Sequence, residues 1–234
     1  MKKRFLGLLL AVIVIVASLV PTDVQAASYK TKIKKLVANM ESYEWMILTS
    51  FRDEYDLVDG KLVINFSDTE IAQAAAAAGF KYDEDKILRT EEEMGMWSEI
   101  EIPTSVIKSY SKKLFGKKVS YKKLPKQTAE DVKGFLEAYR NENGKAAMYC
   151  WEYETETDFV VQKVSVKKNG DTYTCTKDIF CGYWGFYMTY NENDHAERDE
   201  NAVTHRITYT IEKKKGSAYG YVITEMLIES VDRK

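Results

Sequence analysis

The sequence predicts an α+β fold in which N-terminal helices pack on one face of a curved, mainly antiparallel C-terminal sheet. Three observations support this prediction. Apolar residues recur at helical spacing in much of the first 144 residues, and from Lys145 onward they recur at every second residue. An Asn169-Gly170 pair between two alternating segments marks a tight hairpin. Helices followed by a run of strands are the order typical of α+β domains.

The first 26 residues have the organisation of a secretory signal peptide. Three basic residues at positions 2–4 precede an apolar run over 5–20, and small residues flank a candidate cleavage site after Ala26. A retained membrane anchor is the alternative, but the run is shorter than the ~20 apolar residues that a spanning helix needs. We therefore expect cleavage, a secreted (extracytoplasmic) protein, and no membrane span in the mature chain.

Residues 27–234 are predicted to form one domain with a mainly helical part (27–144) and an antiparallel sheet part (145–234). The composition is that of an ordinary globular protein, with 45% hydrophobic and 30% charged residues. Because 34 basic residues face 36 acidic ones, the net charge is −2. A generic nucleic-acid binder usually carries a basic excess, so we expect no nucleic-acid partner.

The N-terminal part begins with a segment over 28–51 that lacks Gly and Pro and keeps a helical period, so we expect a helix there. Its last part, Trp45–Phe51, is apolar enough that a strand is the alternative. The turn signal Asp59-Gly60 precedes Lys61–Phe66, which has the pattern of a short strand.

Ser67 and Glu70 have the spacing of a capping box, in which both side chains bind backbone N–H groups at a helix start. We expect this helix to end at Gly79, because glycine is favoured just after the last turn. The run Ala74–Ala78 has only small side chains, which predicts close packing against a neighbouring element.

Two further helices are predicted. Thr104 or Ser105 is expected to cap a helix that stops at Gly116. The apolar spacing over 128–143 predicts an amphipathic helix that Asn143-Gly144 closes.

Strands are predicted from an alternation of apolar and polar residues. One candidate, Trp97–Ile102, lies in the helical part, and six follow residue 145. Those six are Ala146–Glu154, Asp158–Lys168, Asp171–Ile179, Tyr183–Tyr190, Val203–Lys213 and Tyr219–Glu229. The segment Val203–Lys213 alternates cleanly, which is typical of a sheet with one wet face. The last segment is apolar on both faces, so we expect it to be central or covered by a helix.

A two-residue turn at Asn169-Gly170 sets the register of the hairpin around it. The predicted pairs are Val166 with Tyr173, Val164 with Cys175, and Val160 with Ile179. All six residues then share the buried face. A curved sheet of this kind can leave a conical pocket, as in nuclear-transport-factor-like and cystatin-like domains, although such an analogy carries no function.

Three segments carry a resemblance to a known group of proteins. They are Val106–Gly116 (VIKSYSKKLFG), Gly182–Gly185 (GYWG) with the strand before it, and Ser217–Met226 (SAYGYVITEM). In these segments the chain resembles uncharacterised secreted proteins of Gram-positive gut bacteria, over the C-terminal two-thirds and without a catalytic motif. The resemblance implies secretion and an α+β fold, and it transfers no site residues.

Histidine is scarce, which limits acid–base mechanisms to His195 and His205. We interpret His205 as a packed core residue and His195 as an exposed loop residue. No zinc motif occurs, and the acidic loop from Asn191 lacks the glycine and the terminal glutamate of a calcium loop. We therefore expect no metal and no cofactor.

The three cysteines, Cys150, Cys175 and Cys181, leave two alternatives: one disulfide with one thiol, or no disulfide. In extended backbone the last two would have Cα atoms about 20 Å apart, which is too far for a bond without a turn. A bridge between Cys150 and Cys175 across neighbouring strands is the easier geometry.

Aromatic residues are dense in two segments of the sheet part. Tyr149, Trp151 and Tyr153 alternate on one strand, and five aromatic residues fall within 183–190, next to Gly182 and Gly185. Part of this set must fill the core. Rings that remain exposed beside glycine would form a stacking platform. The predicted ligand-binding residues are Trp151, Tyr183, Trp184 and Tyr187.

The function predicted from the sequence is a non-enzymatic binding module for a small molecule, a glycan or a partner protein, with an aromatic-lined concavity. One alternative is an extracytoplasmic hydrolase of envelope or host glycans, which would need two carboxylates about 5–10 Å apart in a cleft. Another is a structural component of the cell envelope. The catalytic signatures GxSxG, Walker A and GxGxxG are absent from the sequence, and no catalytic residue is predicted.

Overall fold

A computed structural model of the chain describes an α+β protein, as the sequence predicts. The described residues are 22–49, 57–83, 85, 87–89, 97–128, 137–151, 157–183, 188–190, 196–198 and 202–231. The helices within them are α1 (Thr22–Ala38), α2 (Glu41–Thr49), α3 (Asp68–Tyr82), α4 (Thr104–Phe115) and a short 3₁₀ helix (Tyr121–Lys123). The predicted cone-like curvature of the sheet stays a prediction.

Within the described residues the strands form three sheets, and each pair of these strands is antiparallel. Their bounds are β1 (Lys61–Asn65), β2 (Leu88–Arg89), β3 (Trp97–Glu101), β4 (Ala138–Arg140), β5 (Ala146–Trp151), β6 (Thr157–Asn169), β7 (Thr172–Tyr183), β8 (Met188–Tyr190), β9 (Ala196–Arg198), β10 (His205–Lys213) and β11 (Tyr221–Ser230). The large sheet has the order β1-β11-β10-β7-β6, the second sheet β2-β3-β5-β4, and β8 pairs with β9.

The arrangement of strands differs from the single predicted sheet. Strand β5, the first strand of the C-terminal part, does not join the large sheet. It pairs with β3 and β4 in the second sheet. Strand β1, from the helical part, pairs with β11 in the large sheet. As predicted, β11 is not an edge strand. Apolar side chains of β10 at Ile207, Tyr209 and Ile211 are buried, also as predicted.

The hairpin between β6 and β7 has a register that differs from the prediction by two residues. Asn169 pairs with Thr172, so the two-residue turn is Gly170-Asp171. The observed pairs are Val166 with Cys175, Val164 with Lys177, Val161 with Ile179, and Val160 with Phe180. The register shifts between residues 161 and 163, which moves Val160 off the buried face and leaves it 38% exposed.

The N-terminal segment is helical beyond Trp45, so the strand alternative for this stretch is wrong. Two turn residues, Asn39 and Met40, separate α1 from α2. Helix α1 begins at Thr22 and runs through the predicted cleavage site after Ala26. No helix in the described part of the chain is both long enough and apolar enough to cross a membrane.

The capping box at the start of α3 is confirmed. The backbone N–H of Glu70 donates to Ser67 Oγ at 3.3 Å, and that of Ser67 donates to Glu70 Oε2 at 2.6 Å. The predicted stop at Gly79 is wrong, because α3 continues to Tyr82. Gly79 instead permits close packing, since a Cβ at this position would lie 2.2 Å from Cγ1 of Val106 in α4.

The predicted side-chain cap on α4 is wrong, because Pro103 is the N-cap residue and no side chain caps the helix. The predicted stop is confirmed: Gly116 is left-handed, with φ of 68°, and its N–H donates to the Lys112 carbonyl. The helix predicted over 128–143 is wrong at 138–140, which form β4. Residues 129–136 of that segment lie outside the described residues.

Candidate functional site: a groove lined by lysines

A groove of about 560 Å³ runs between α4 and the loop that joins β10 to β11. The residues that line it are Ser105, Lys108, Ser109, Lys112, Lys113, Lys118, Gly216 and Ala218. We call it the lysine groove. Among the described residues, its lining contains four lysines and two hydroxyl groups, but no carboxylate and no aromatic ring.

The helical spacing of α4 explains why these polar residues meet in one place. The groove positions in α4 are 105, 108, 109, 112 and 113, which follow the three- and four-residue spacing of one helix face. The opposite face carries apolar side chains that are buried in the core: Val106, Ile107, Tyr110 and Leu114. Core packing therefore orients the lysine stripe outward.

Gly116 allows the loop between β10 and β11, which forms the second wall of the groove, to lie close to α4. A Cβ at Gly116 would lie 2.6 Å from Cδ of Lys214 and 2.8 Å from Cγ1 of Val222, so only glycine fits here. The left-handed turn at this glycine also redirects the chain toward Lys118. The loop residues Gly216 and Ala218 then lie across the groove from the helix.

Lys113 is held in place by its surroundings. Its Nζ donates to Asn39 Oδ1 at 3.1 Å, and it lies 4.6 Å from the ring centroid of Tyr110 and 5.8 Å from that of Tyr219. Asn39 Nδ2 in turn donates to the Tyr219 hydroxyl at 3.2 Å. Cation–π and hydrogen-bond contacts thus hold one ammonium group at the base of the groove before any ligand arrives.

The other groove lysines carry uncompensated charge. Lys108, Lys112 and Lys118 are exposed, and within the described part of the chain they make no ion pair. Two lysines that do not line the groove are paired with an acid: Asp68 lies 2.6 Å from Lys117 and 3.4 Å from Lys123. The hydrogen bond and charge of Lys117 lower the pKa of Asp68.

The sequence contains a signal for this site that the prediction did not use. Residues 108–126 include eight lysines and no aspartate or glutamate, and a further lysine triplet occupies 213–215. Periodicity identified the helix in the first of these segments but not the charge that it gathers on one face.

The predicted aromatic site lies largely beyond what the structure describes. The backbone of Trp151 is in β5, opposite Trp97, whereas that of Tyr183 is in β7, opposite Thr157. These two residues therefore belong to different sheets. Trp184 and Tyr187 lie outside the described residues. An aromatic-lined concavity stays a prediction.

A smaller pocket of about 240 Å³ is relevant to the hydrolase alternative. Its lining residues are Glu101, Ile102, Pro103, Thr104, Tyr121, Gly144, Lys145 and Ala146. Glu101 forms an ion pair with Lys145 at 3.0 Å. Its neighbour on the same strand face, Glu99, accepts hydrogen bonds from the Tyr139 hydroxyl at 2.6 Å and from Asn141 Nδ2 at 2.7 Å. Glu99 does not line the pocket, so the described part of the lining supplies one carboxylate and not two.

A buried ionic network lies under the large sheet. Lys177 Nζ donates to both carboxylate oxygens of Glu44, at 2.7 and 2.9 Å, and to the Val37 carbonyl at 3.0 Å. The Tyr209 hydroxyl donates to Glu44 Oε1. Burial raises the pKa of Glu44, and burial together with the Glu44 charge raises that of Tyr209. The network joins α1 and α2 to β7 and β10, and it does not line either pocket.

The structure bears on the predicted disulfide and on the predicted placement of His205. Cys175 and Cys181 are free, buried thiols, and burial raises their pKa values to about 12 and about 11. A bridge from Cys150 to Cys175 is therefore wrong, because β5 and β7 belong to different sheets. His205 is partly buried, its Nδ1 lies 2.9 Å from Thr204 Oγ1, and burial lowers its pKa.

Residues 191–195, which include His195 and the start of the acidic loop, lie outside the described residues. Among the residues that are described, no three His, Cys, Asp or Glu side chains are grouped closely enough to hold a metal ion.

The chain matches no protein-family model, no curated protein sequence and no solved structure. The arrangement of its own residues is thus the basis for proposing a function.

Proposed function

We propose that the protein is an exported, non-enzymatic binding protein that holds an anionic ligand in the lysine groove. The observation that supports this most strongly is the lining of that groove, where four lysines converge and none of the described lining residues is a carboxylate. Clefts lined by charge of one sign concentrate oppositely charged ligands. The charge is local, since the chain as a whole has a net charge of −2.

The chemistry of the groove suits phosphate or sulfate groups. Lysine binds phosphate as a point charge, and the hydroxyls of Ser105 and Ser109 can donate further hydrogen bonds. Because Lys113 is already held by Asn39 and two tyrosine rings, its ammonium loses little conformational entropy when a ligand binds.

A serine–lysine hydrolase is less well supported by the same residues. Ser105 and Lys108, like Ser109 and Lys112, have the S-x-x-K spacing of some acyl-transfer enzymes. A serine nucleophile needs a base within hydrogen-bond reach. In the described structure no hydrogen bond joins either serine hydroxyl to a lysine amine, and Lys108 and Lys112 are exposed to solvent.

The binding test uses paired substitutions. Replacing Lys108 and Lys112 by glutamine is expected to weaken the binding of inorganic triphosphate by about tenfold or more, since each lost contact costs on the order of 1 kcal/mol. Isothermal titration calorimetry at low salt measures the change. The matched control is Lys167→Gln with Lys168→Gln, two exposed lysines in β6, which should leave the affinity unchanged. An equal loss of triphosphate affinity in the two double variants, or no loss in either, would contradict the proposal.

Export is tested separately. When the gene is expressed in a Gram-positive host, the protein recovered from outside the cell should begin at Ala27. The reason is that small residues flank the peptide bond between residues 26 and 27, where cleavage is expected. Intact mass and N-terminal sequencing read the start directly. As a control, replacing Ala26 by a bulky residue should block processing. Recovery only from the cell interior with residues 1–26 retained would refute export.

A further inference from the structure

We infer that the ligand of the lysine groove is a linear phosphate polymer without aromatic rings, which lies along α4 and continues past the groove. This inference rests on the proposed function and adds the size and the chemistry of the ligand. It is carried by two observations. Lysines continue beyond the groove, and three of them, Lys122, Lys214 and Lys215, make no ion pair in the described part of the chain. The described lining of the groove contains no ring.

The positive charge continues in two directions. Along the chain, α4 leads to Lys117 and then to the 3₁₀ helix with Lys122 and Lys123. Across the groove, Lys214 and Lys215 lie on the loop that forms the second wall. We call the groove together with these five lysines the lysine face. Within the described part of the chain, Asp68 is the acid paired with this face, and it contacts only Lys117 and Lys123.

The extent of this face exceeds what a small anion can cover. Helix α4 alone has 12 residues, which corresponds to a length of about 18 Å. Lysines gathered over such a length repel one another when no counter-charge is present. A small anion would neutralise two or three of them, whereas a polymer offsets the repulsion along the whole face.

The composition of the lining favours phosphate over ringed ligands. Proteins that hold single-stranded nucleic acid combine basic grooves with aromatic side chains on which the bases stack. Here the tyrosine rings near the groove, Tyr110 and Tyr219, contact the Lys113 ammonium, and the lining itself is formed by lysine, serine, glycine and alanine. Such a surface binds anionic groups and hydrogen-bond acceptors, and none of the described lining residues offers a ring on which a base or a sugar could stack.

The test compares two lengths of inorganic polyphosphate, which serve as probes. Triphosphate is the short probe, and a chain long enough to cover α4 and the 3₁₀ helix is the long one. We expect the long chain to bind at least about tenfold more tightly, with a steeper dependence of log Kd on log salt, because more lysines are neutralised and more counterions are released. Equal affinity and equal salt dependence for both probes would overturn the inference.

Substitution of two lysines outside the groove tests where the long polyphosphate chain makes its additional contacts. Lys122→Gln combined with Lys214→Gln should weaken the long chain and reduce its salt slope by about one for each lysine removed. Triphosphate binding should not change. The control pair Lys167→Gln with Lys168→Gln, which removes the same charge from β6, should affect neither probe.

The outcomes separate this inference from the proposed function. If Lys108→Gln with Lys112→Gln weakens triphosphate but Lys122→Gln with Lys214→Gln leaves the long chain unaffected, the groove is a small-anion site and the inference fails alone. If Lys108→Gln with Lys112→Gln changes neither probe, both fail. An oligothymidylate with the same number of phosphates should bind more weakly than polyphosphate; equal or tighter binding would overturn the ring-free ligand in favour of a nucleic acid.

Discussion

Replacing Lys177 by methionine is expected to lower the free energy of unfolding by about 3–5 kcal/mol, the usual result of breaking a buried ion pair. The side chains of Lys177 and Glu44 are 1% and 0% exposed. Without the ammonium, the Glu44 carboxylate keeps only the hydrogen bond from Tyr209, while the Val37 carbonyl keeps its hydrogen bond from the Met40 N–H. Urea unfolding at pH 7, followed by circular dichroism, measures the loss.

The double substitution Lys177→Met with Glu44→Leu tests the cause. Once both charges are gone, no ion is left unpaired in the core, so most of the stability should return. Lys168→Met, at an exposed position, should change stability by less than about 0.5 kcal/mol. A double variant no more stable than Lys177→Met would show that lost packing, rather than an unpaired carboxylate, causes the effect.

The pH dependence of the Lys177→Met variant follows from Glu44. Burial raises the pKa of this carboxyl in the folded protein above its ordinary value of 4.5. A carboxyl with a raised pKa binds its proton more tightly in the folded state, so the stability it contributes is lost as the pH rises through the folded pKa. Removing Lys177 raises that pKa further. The deficit of the variant relative to the wild type should therefore shrink between pH 7 and pH 5.

The burial of Lys177 can be predicted from the sequence, but its pairing with Glu44 cannot. Lys177 shares the alternation of Tyr173, Cys175 and Ile179 in β7, so a strand with one buried face places this lysine inside. Its partner Glu44 is 133 residues away, in the predicted helix just before the stretch Trp45–Phe51 for which a strand was the alternative. Alternation identifies a buried charge, whereas only tertiary packing determines which acid meets it.

The sheet errors have the same physical origin. Both Asn169-Gly170 and Gly170-Asp171 suit a two-residue turn, and the choice between them changes the register by two residues without changing the buried face. Alternation predicts strand β3, but its pairing with β5 joins Trp97 to Trp151 across a segment that contains α4, the 3₁₀ helix and β4. Local patterns therefore predicted the strands and their faces better than their partners.

Only part of the lysine groove can be predicted from the pattern of charges in the sequence. The lysines of the groove stand in a run without acids that is visible in the sequence. Two other lysines of this run, Lys117 and Lys123, form ion pairs with Asp68 at the start of α3, a contact that the run itself does not predict. The second wall comes from residues 216 and 218, about a hundred positions later in the chain, and no spacing rule connects it to α4.

Gly79→Ala is expected to destabilise the protein by about 1–3 kcal/mol through overpacking between α3 and α4. Helix propensity alone predicts the opposite, a gain of about 1 kcal/mol for alanine in a helix interior. The added Cβ would lie 2.2 Å from Cγ1 of Val106 and 3.8 Å from Cδ2 of Tyr110. Because Val106 is 2% exposed and packed in the core, it has little room to move.

Val106→Ala provides the test of this mechanism, since it removes the methyl group that the new Cβ would meet. Alone, it should cost stability by leaving a small cavity. Combined with Gly79→Ala, the added methyl enters that space, so the double variant should be more stable than the sum of the two single losses predicts. Thermal and urea unfolding of the four proteins complete the cycle. Additive losses, or a Gly79→Ala variant more stable than the wild type, would mean that helix propensity rather than close approach governs this position.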